Sequence, residues 1–214
     1  TLLQALLDTD IFHNCKSLIQ IFSGGEILSK KLALQCIEVL PKCDLINVYG
    51  PSECTINASA FKVDKNTIAD YPEAIPIGTP VHNTQFYIFN SHQSLASVGE
   101  TGDLYIGGVQ LARGYINRPD LSKERFANDQ FSTISGGAKL YKTGDLAYWN
   151  TDGTVQFVGR ADNQVKLRGF RIELDEVKLA IEKHDWVKNA AVIVKKNSRT
   201  GYSDLIACIE LSPK

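Results

Sequence analysis

The 214-residue sequence predicts an α/β fold continued by a β-rich subdomain and by the beginning of a small α+β C-terminal subdomain. Three observations predict it. The first third reads strand, helix, strand, with apolar residues at helical spacing between the two strands. From about Ile75, short strand-like runs follow one another across Gly- and Ser-containing turns. After Arg160 a β–helix–β–β order begins. The implied divisions are residues 1–77, 78–160 and 161–214.

Thr1–Asp8 is amphipathic but too short to span a membrane. It lacks the basic leader of a signal peptide and an initiator Met, so a piece of a longer polypeptide is expected. Ser17–Phe22 reads as a strand running into Ser23-Gly24-Gly25-Glu26. Leu28, Leu32, Cys36 and Val39 recur at helical spacing, with Ser29 as N-cap and Pro41 as the stop. Asp44–Val48 is a short buried strand. Pro76, Gly78 and Pro80 then break the chain. Gln85–Phe89 and Asp103–Ile106 are strand-like, and Leu146–Trp149 and Thr154–Val158 flank Asn150-Thr151-Asp152-Gly153, a hairpin signal. Gln164–Glu173 is strand-like around Arg168-Gly169. Val177, Ala180, Ile181 and His184 share a helical face, and strands Ala190–Val194 and Leu205–Glu210 flank Arg199–Tyr202.

Composition narrows the function classes. A net charge of −1 offers no basic surface for nucleic acid or an anionic membrane. Cys15, Cys36, Cys43, Cys54 and Cys208 show no C-x-x-C pair, which suits reduced thiols in a cytoplasmic protein rather than a disulfide framework.

The most informative run is Asn47-Val48-Tyr49-Gly50-Pro51-Ser52-Glu53-Cys54-Thr55. It sets an amide, an aromatic ring, hydroxyls and a carboxylate where a strand ends, and strand ends of α/β sheets are where ligands bind. A ring to stack on a base and a carboxylate to hold a metal suit a nucleotide; equally, Pro-Ser is ordinary turn chemistry. Three further clusters follow: Gly102–Gly108 running on to Leu111-Ala112-Arg113-Gly114-Tyr115, then Tyr141–Leu146, then Gly159–Glu173. Each alone reads equally as turns between strands, and Thr143-Gly144-Asp145 as a loop.

In order and spacing together, the four clusters resemble the adenylation domain of nonribosomal peptide synthetases, in the adenylate-forming superfamily with acyl-CoA synthetases and luciferases. Ile75–Pro80, Gly114–Pro119 and Glu124-Arg125-Phe126 resemble it too. The resemblance implies part of the adenylate-forming fold, with the β-rich part a distorted barrel. It implies an enzyme that joins a carboxylate to ATP, with Mg²⁺, as an acyl-adenylate. The acyl group then passes to the phosphopantetheine thiol of a peptidyl carrier protein domain.

By that resemblance, Tyr49 stacks on adenine, with Asn47 and the Val48 backbone at its edge and Gly50 beside it. Gly24 and Gly25 let the backbone approach the base. Glu53 ligates Mg²⁺, a hard cation suited to carboxylate oxygen. Ser52 stands where many relatives have Thr. Asp145 accepts from both ribose hydroxyls, and Arg160 reinforces the ribose and phosphate side. Phe157 stands where relatives often carry Tyr. Asp162 matches the hinge about which the C-terminal unit rotates. Lys166 and Gly169 face the site in one pose, or lie on a surface hairpin. Ile21, Ser23, Val48, Ile56 and Asn57 line the acyl pocket and slightly favour a neutral side chain; singly, Ile21 and Ile56 read as well as core residues.

Two departures accompany the resemblance. The family's Ser/Thr/Gly phosphate loop is not found before Asn47, and its Pro-x-Gly-Lys lysine has only Pro213-Lys214 as a late candidate. A piece lacking both is expected to be incompetent alone. Two other classes stay open: an acyl- or aryl-CoA synthetase, and a non-catalytic remnant that binds a nucleotide or a partner. Gln164–Gly169 followed by Arg171–Leu174 favours the peptide synthetase.

Overall fold

In the computed structural model, which describes residues 2–9, 11–12, 15, 17–131, 138–167, 169–196 and 203–212, the chain forms two compact units that meet in sequence between Ala161 and Asp162. Arg168, Arg199–Tyr202 and Pro213-Lys214, singled out in the sequence, lie outside the described residues.

The first unit opens with helix α1 (Leu2–Leu7), strand β1 (Gln20–Gly24), helix α2 (Lys30–Val39) and strand β2 (Asp44–Tyr49). Ser29 caps α2 as its sequence position predicts: its Oγ accepts from the Leu32 N–H at 3.2 Å. β1 and β2 are parallel, as a strand–helix–strand unit requires. β1 starts later than Ser17 and runs into Gly24, because its pairing with β2 continues to the Gly24–Val48 register. Strands β3 (Ser59–Lys62) and β4 (Thr79–Pro80) add antiparallel, for the order β1-β2-β3-β4. Leu28, Ala33, Cys36, Leu45 and Ile75 form the core between sheet and helices, joined by Leu7 of α1.

The second sheet contains β5 (Thr84–Phe89), β6 (Gly102–Gly108), β7 (Phe126–Asn128), β8 (Lys139–Trp149) and β9 (Val155–Arg160), with helix α3 (Pro119–Arg125) leading into β7. Its order is β5-β6-β8-β7, with β9 also on β8. Leu104 and Ile106 are fully buried between its strands, each such burial contributing about 1.5–3 kcal/mol. Asn150–Gly153 makes the predicted turn: Asp152 Oδ1 accepts from the Thr154 N–H at 2.9 Å. Thr143-Gly144-Asp145 is not a loop; it lies inside the 11-residue strand β8. The triplet forms an irregularity in the strand: β8 pairs with β6 on either side of it, at Lys142 and Leu146, and with β9 from Asp145 onward. The two sheets are joined where the Val155 N–H donates to Gly78 O (2.8 Å) and the Ile77 N–H to Val155 O (2.9 Å).

The second unit holds hairpin β10 (Gln164–Leu167) and β11 (Phe170–Glu173), helix α4 (Leu174–Glu182), and the antiparallel pair β12 (Val187–Lys196) and β13 (Ser203–Leu211). His184 falls past the end of α4 rather than on its face. Glu182 Oε1 accepts from the Ala190 N–H at 2.9 Å, tying α4 to β12. Among the described residues no helix is long and apolar enough to cross a membrane, and Cys15, Cys36, Cys43, Cys54 and Cys208 are free thiols.

Candidate functional site

Alternation along β2 buries Leu45, Asn47 and Tyr49 on one face. Asn47 Nδ2 donates to Pro76 O at 2.8 Å and Ile75 O at 3.3 Å, so this amide fastens the segment that enters the second sheet. Past Tyr49 the chain turns through Gly50 and Pro51 into a single 3-10 turn, Ser52–Cys54. Thr55 and Ile56 then both take left-handed backbone, at φ 54° and 73°. Such strain in β-branched residues persists only where the surroundings over-determine it. Here Thr55 Oγ1 donates to Gln110 O at 2.7 Å, the Ala112 N–H to Glu53 O at 2.7 Å, and the Ala58 N–H to Tyr49 O at 2.7 Å.

β8 supplies the facing wall. Tyr141, Thr143 and Asp145 are all buried along it. The Asp145 carboxylate is 5% exposed and both of its oxygens are engaged. Oδ2 accepts the Tyr49 phenol, and Oδ1 accepts from Arg160 Nη1 at 2.7 Å. Arg160 Nη1 also donates to Thr143 O at 3.0 Å, while Thr143 Oγ1 accepts the Asp145 N–H at 2.9 Å. Asp145 and Arg160 are register partners in β8 and β9, which is why a strand pairing delivers this ion pair. Burial, then the Asp145 charge, push the Tyr49 phenol well above its usual range, so it stays a proton donor.

A second cluster lies alongside. Glu53 is buried, and its Oε1 accepts from the Tyr115 hydroxyl at 2.6 Å. That hydroxyl is 3.4 Å from the hydroxyl of Tyr141, linking the cluster to β8. Burial, then the hydrogen bond to Glu53, raise the Tyr115 phenol. Tyr115 ends the Leu111–Tyr115 run, but nothing in the sequence ties it to a partner 62 residues away. Thr143 was visible only as a neighbour of Asp145.

The structure thus brings Tyr49 and Glu53, at and just past the C-terminal end of β2, to Asp145 in the middle of β8 and Arg160 at the end of β9. Phe157 packs beside them, its ring centroid 6.4 Å from that of Tyr49. Tyr49 is itself 7% exposed, its ring packed edge-on to Phe86. Gly24 is required by space: a Cβ there would stand 2.7 Å from Val48 Cγ2 and 2.8 Å from Val48 O. Gly25 has φ +87° and open surroundings. Ser52 is exposed on the 3-10 turn.

The five expected pocket residues are split. Ile21 and Ser23 pair with Leu45 and Asn47, on the face that packs the first core, whereas Val48 lies with Gly24 on the other face. A one-residue offset in a strand reverses the face, which is the physical reason. Ile56 is 71% exposed and Asn57 is exposed beside it. Asp162 opens the second unit, its Oδ1 accepting from the Gln164 N–H at 3.2 Å. Lys166 and Gly169 belong to the β10–β11 hairpin, Lys166 paired with Arg171 and Gly169 at the turn.

Chemically, the arrangement offers a buried carboxylate with a fixed cation beside it, and a second carboxylate of hard oxygen. Among the described residues no three His, Cys, Asp or Glu side chains gather as a metal site. Glu53 fits only a cation whose remaining ligands arrive with a bound molecule or water, the usual situation of Mg²⁺ with phosphates.

Residues 1–116 match the family described as AMP-binding enzyme. The chain is 58% identical over its whole length to indigoidine synthase of Dickeya dadantii and 59% identical to indigoidine synthase of Streptomyces lavendulae. It spans 14% and 17% of those proteins. It is 44% identical over 191 residues to a plipastatin synthase polypeptide of Bacillus subtilis, covering 89% of this chain and 5% of that protein. Among solved structures it resembles PA1221, an NRPS protein containing adenylation and PCP domains, with TM-score 0.84 and 27% identity over 97% of this chain and 41% of that one. It also resembles the Vibrio cholerae adenylation domain AlmE in complex with glycyl-adenosine-5'-phosphate, with TM-score 0.84 and 26% identity over 99% of this chain and 40% of that one.

Proposed function

Because the chain belongs to the AMP-binding enzyme family, we propose that it is part of an amino-acid-activating adenylation domain. The whole protein forms aminoacyl-AMP and pyrophosphate from ATP and an amino acid, then passes the acyl group to a carrier-protein phosphopantetheine thiol. The observation that carries this reading is the buried Tyr49–Asp145–Arg160 cluster beside Glu53. The Asp145 carboxylate, held between the Tyr49 phenol and the Arg160 guanidinium, is the acceptor for the two hydroxyls of a ribose. Arg160 adds positive charge toward the phosphates, where positioning and electrostatics dominate the chemistry. Asn47, Val48, Tyr49, Gly50 and Phe157 border the adenosine, with Gly24 and Gly25 across from them, and Ser52 sits toward the phosphates.

Glu53 would hold Mg²⁺, which when bound neutralises phosphate charge. The acyl end lies at the end of β2, where Val48 within the strand and Ile56 and Asn57 beyond it are the pocket residues of this chain. The likeness to an adenylation–PCP protein supports a peptidyl carrier partner over free coenzyme A, and the free thiols suit a reducing cytoplasm.

Full-length protein is expected to exchange labelled pyrophosphate into ATP only when its amino acid is present. Absence of exchange across a broad panel of amino, aryl and fatty acids would overturn the reading. Thioester on coenzyme A, and none on a carrier domain, would favour the acyl-CoA synthetase class instead.

The hinge reading of Asp162 is separately testable. The division of the chain into two units beside it supports a role in rotation. Asp162→Pro fixes the backbone there and is expected to slow thioester formation more than pyrophosphate exchange. Equal loss of both removes the hinge role.

A further inference from the structure

The Tyr115 phenol donates to Glu53 Oε1 at 2.6 Å, and it is held in place from several sides. The Tyr115 N–H donates to Ser122 Oγ at 2.8 Å. Its ring meets Phe126 edge-on at 5.7 Å, and its hydroxyl lies 3.4 Å from that of Tyr141. The loop that ends in Tyr115 also grips the turn carrying Glu53 through main chain. The Ala112 N–H reaches Glu53 O, and Gln110 O accepts Thr55 Oγ1, both at 2.7 Å. Glu53 is thus fixed at its backbone and at one carboxylate oxygen by the same short segment. A carboxylate tied to a rigid donor and fixed at its backbone is held in one orientation, which is what a metal ligand needs.

We propose that Tyr115 is a positioning residue for the metal-bearing carboxylate. Its hydroxyl, and not only its ring, aims Glu53 at a divalent cation carried by the nucleotide phosphates. The inference rests on the reading of Glu53 as the Mg²⁺ carboxylate. Outer-shell partners of this kind orient metal ligands, and losing one typically costs about 10–100-fold in metal affinity or activity.

The test uses full-length protein with ATP and Mn²⁺ and no amino acid, so that nothing turns over; free Mn²⁺ is read by electron paramagnetic resonance. Tyr115→Phe keeps the ring against Phe126 and removes only the hydroxyl. It is expected to weaken Mn²⁺ binding to the ATP complex about 10-fold, while ATP binding in the presence of a chelator is unchanged. Glu53→Gln is expected to weaken Mn²⁺ at least as much. If Glu53→Gln leaves Mn²⁺ affinity unaltered, the carboxylate assignment falls and the inference with it. If Glu53→Gln weakens Mn²⁺ but Tyr115→Phe superposes on the unsubstituted protein, the inference alone is overturned. A Tyr115→Phe protein with a lowered unfolding midpoint and unaltered Mn²⁺ affinity also overturns it, because a purely structural role predicts that pair of results.

Discussion

Asp145→Ala is expected to lower amino-acid-dependent pyrophosphate exchange about 100-fold or more, the scale on which losing one preorganised polar group slows an enzyme. The size follows from what the carboxylate touches. It is 5% exposed and accepts both the Tyr49 phenol and the Arg160 guanidinium. Removing it withdraws the acceptor proposed for the ribose and leaves a guanidinium, its side chain 17% exposed, without that carboxylate. Breaking a buried ion pair from one side costs about 3–5 kcal/mol; the low end applies, since Arg160 keeps its bond to Thr143 O. Loss of activity must therefore be separated from loss of structure. Asp145→Asn keeps the size and one acceptor oxygen but removes the charge, and it should fall between the alanine variant and the unsubstituted protein. Exchange by Asp145→Ala at the unsubstituted rate, in protein that remains folded, would refute the ribose assignment.

Gly78→Ala is expected to open the junction between the two sheets of the first unit. Gly78 sits at φ +84°, and a Cβ there would stand 2.0 Å from Ala60 O, a backbone atom with little freedom to retreat. Its carbonyl accepts the Val155 N–H, so any shift of Gly78 is felt in β9. The backbone conformation alone costs a side chain about 1–3 kcal/mol, and the clash adds to it, so a total of about 3 kcal/mol or more is expected. At 1.4 kcal/mol per factor of ten, local amide exchange at Val155 should quicken roughly 100-fold in hydrogen-exchange mass spectrometry. Gly99→Ala is the matched control, having φ +83° with nothing within 4 Å of its Cβ position. It should show only the conformational cost. Equal effects of the two substitutions would mean that the close approach to Ala60 does not hold the junction.

Much of the fold was legible because local rules carried it. The Ser29 cap, the strand at Asp44–Val48 and the Asn150–Gly153 turn each depend on neighbours a few residues away. Where a local rule misled, a tertiary one had overruled it. Thr143-Gly144-Asp145 carries loop propensity yet lies within β8, which pairs with β6 on either side of it and with β9 from Asp145 onward. His184 fits the helical period of α4 but follows its end.

From the sequence came an expectation, carried by its resemblance to the adenylation domain, that Tyr49, Glu53, Asp145 and Arg160 share one site. How these side chains are joined follows from contacts between distant parts of the chain. The Tyr49–Asp145 bond spans 96 residues and the Tyr115–Glu53 bond 62. The tertiary structure also separated Ile21 and Ser23 from Val48, because adjacent positions of paired strands face opposite sides of a sheet. The physical reason is one of range. Propensity, capping and alternation act over a few residues, whereas a buried carboxylate is satisfied by whatever donors the folded sheets carry to it.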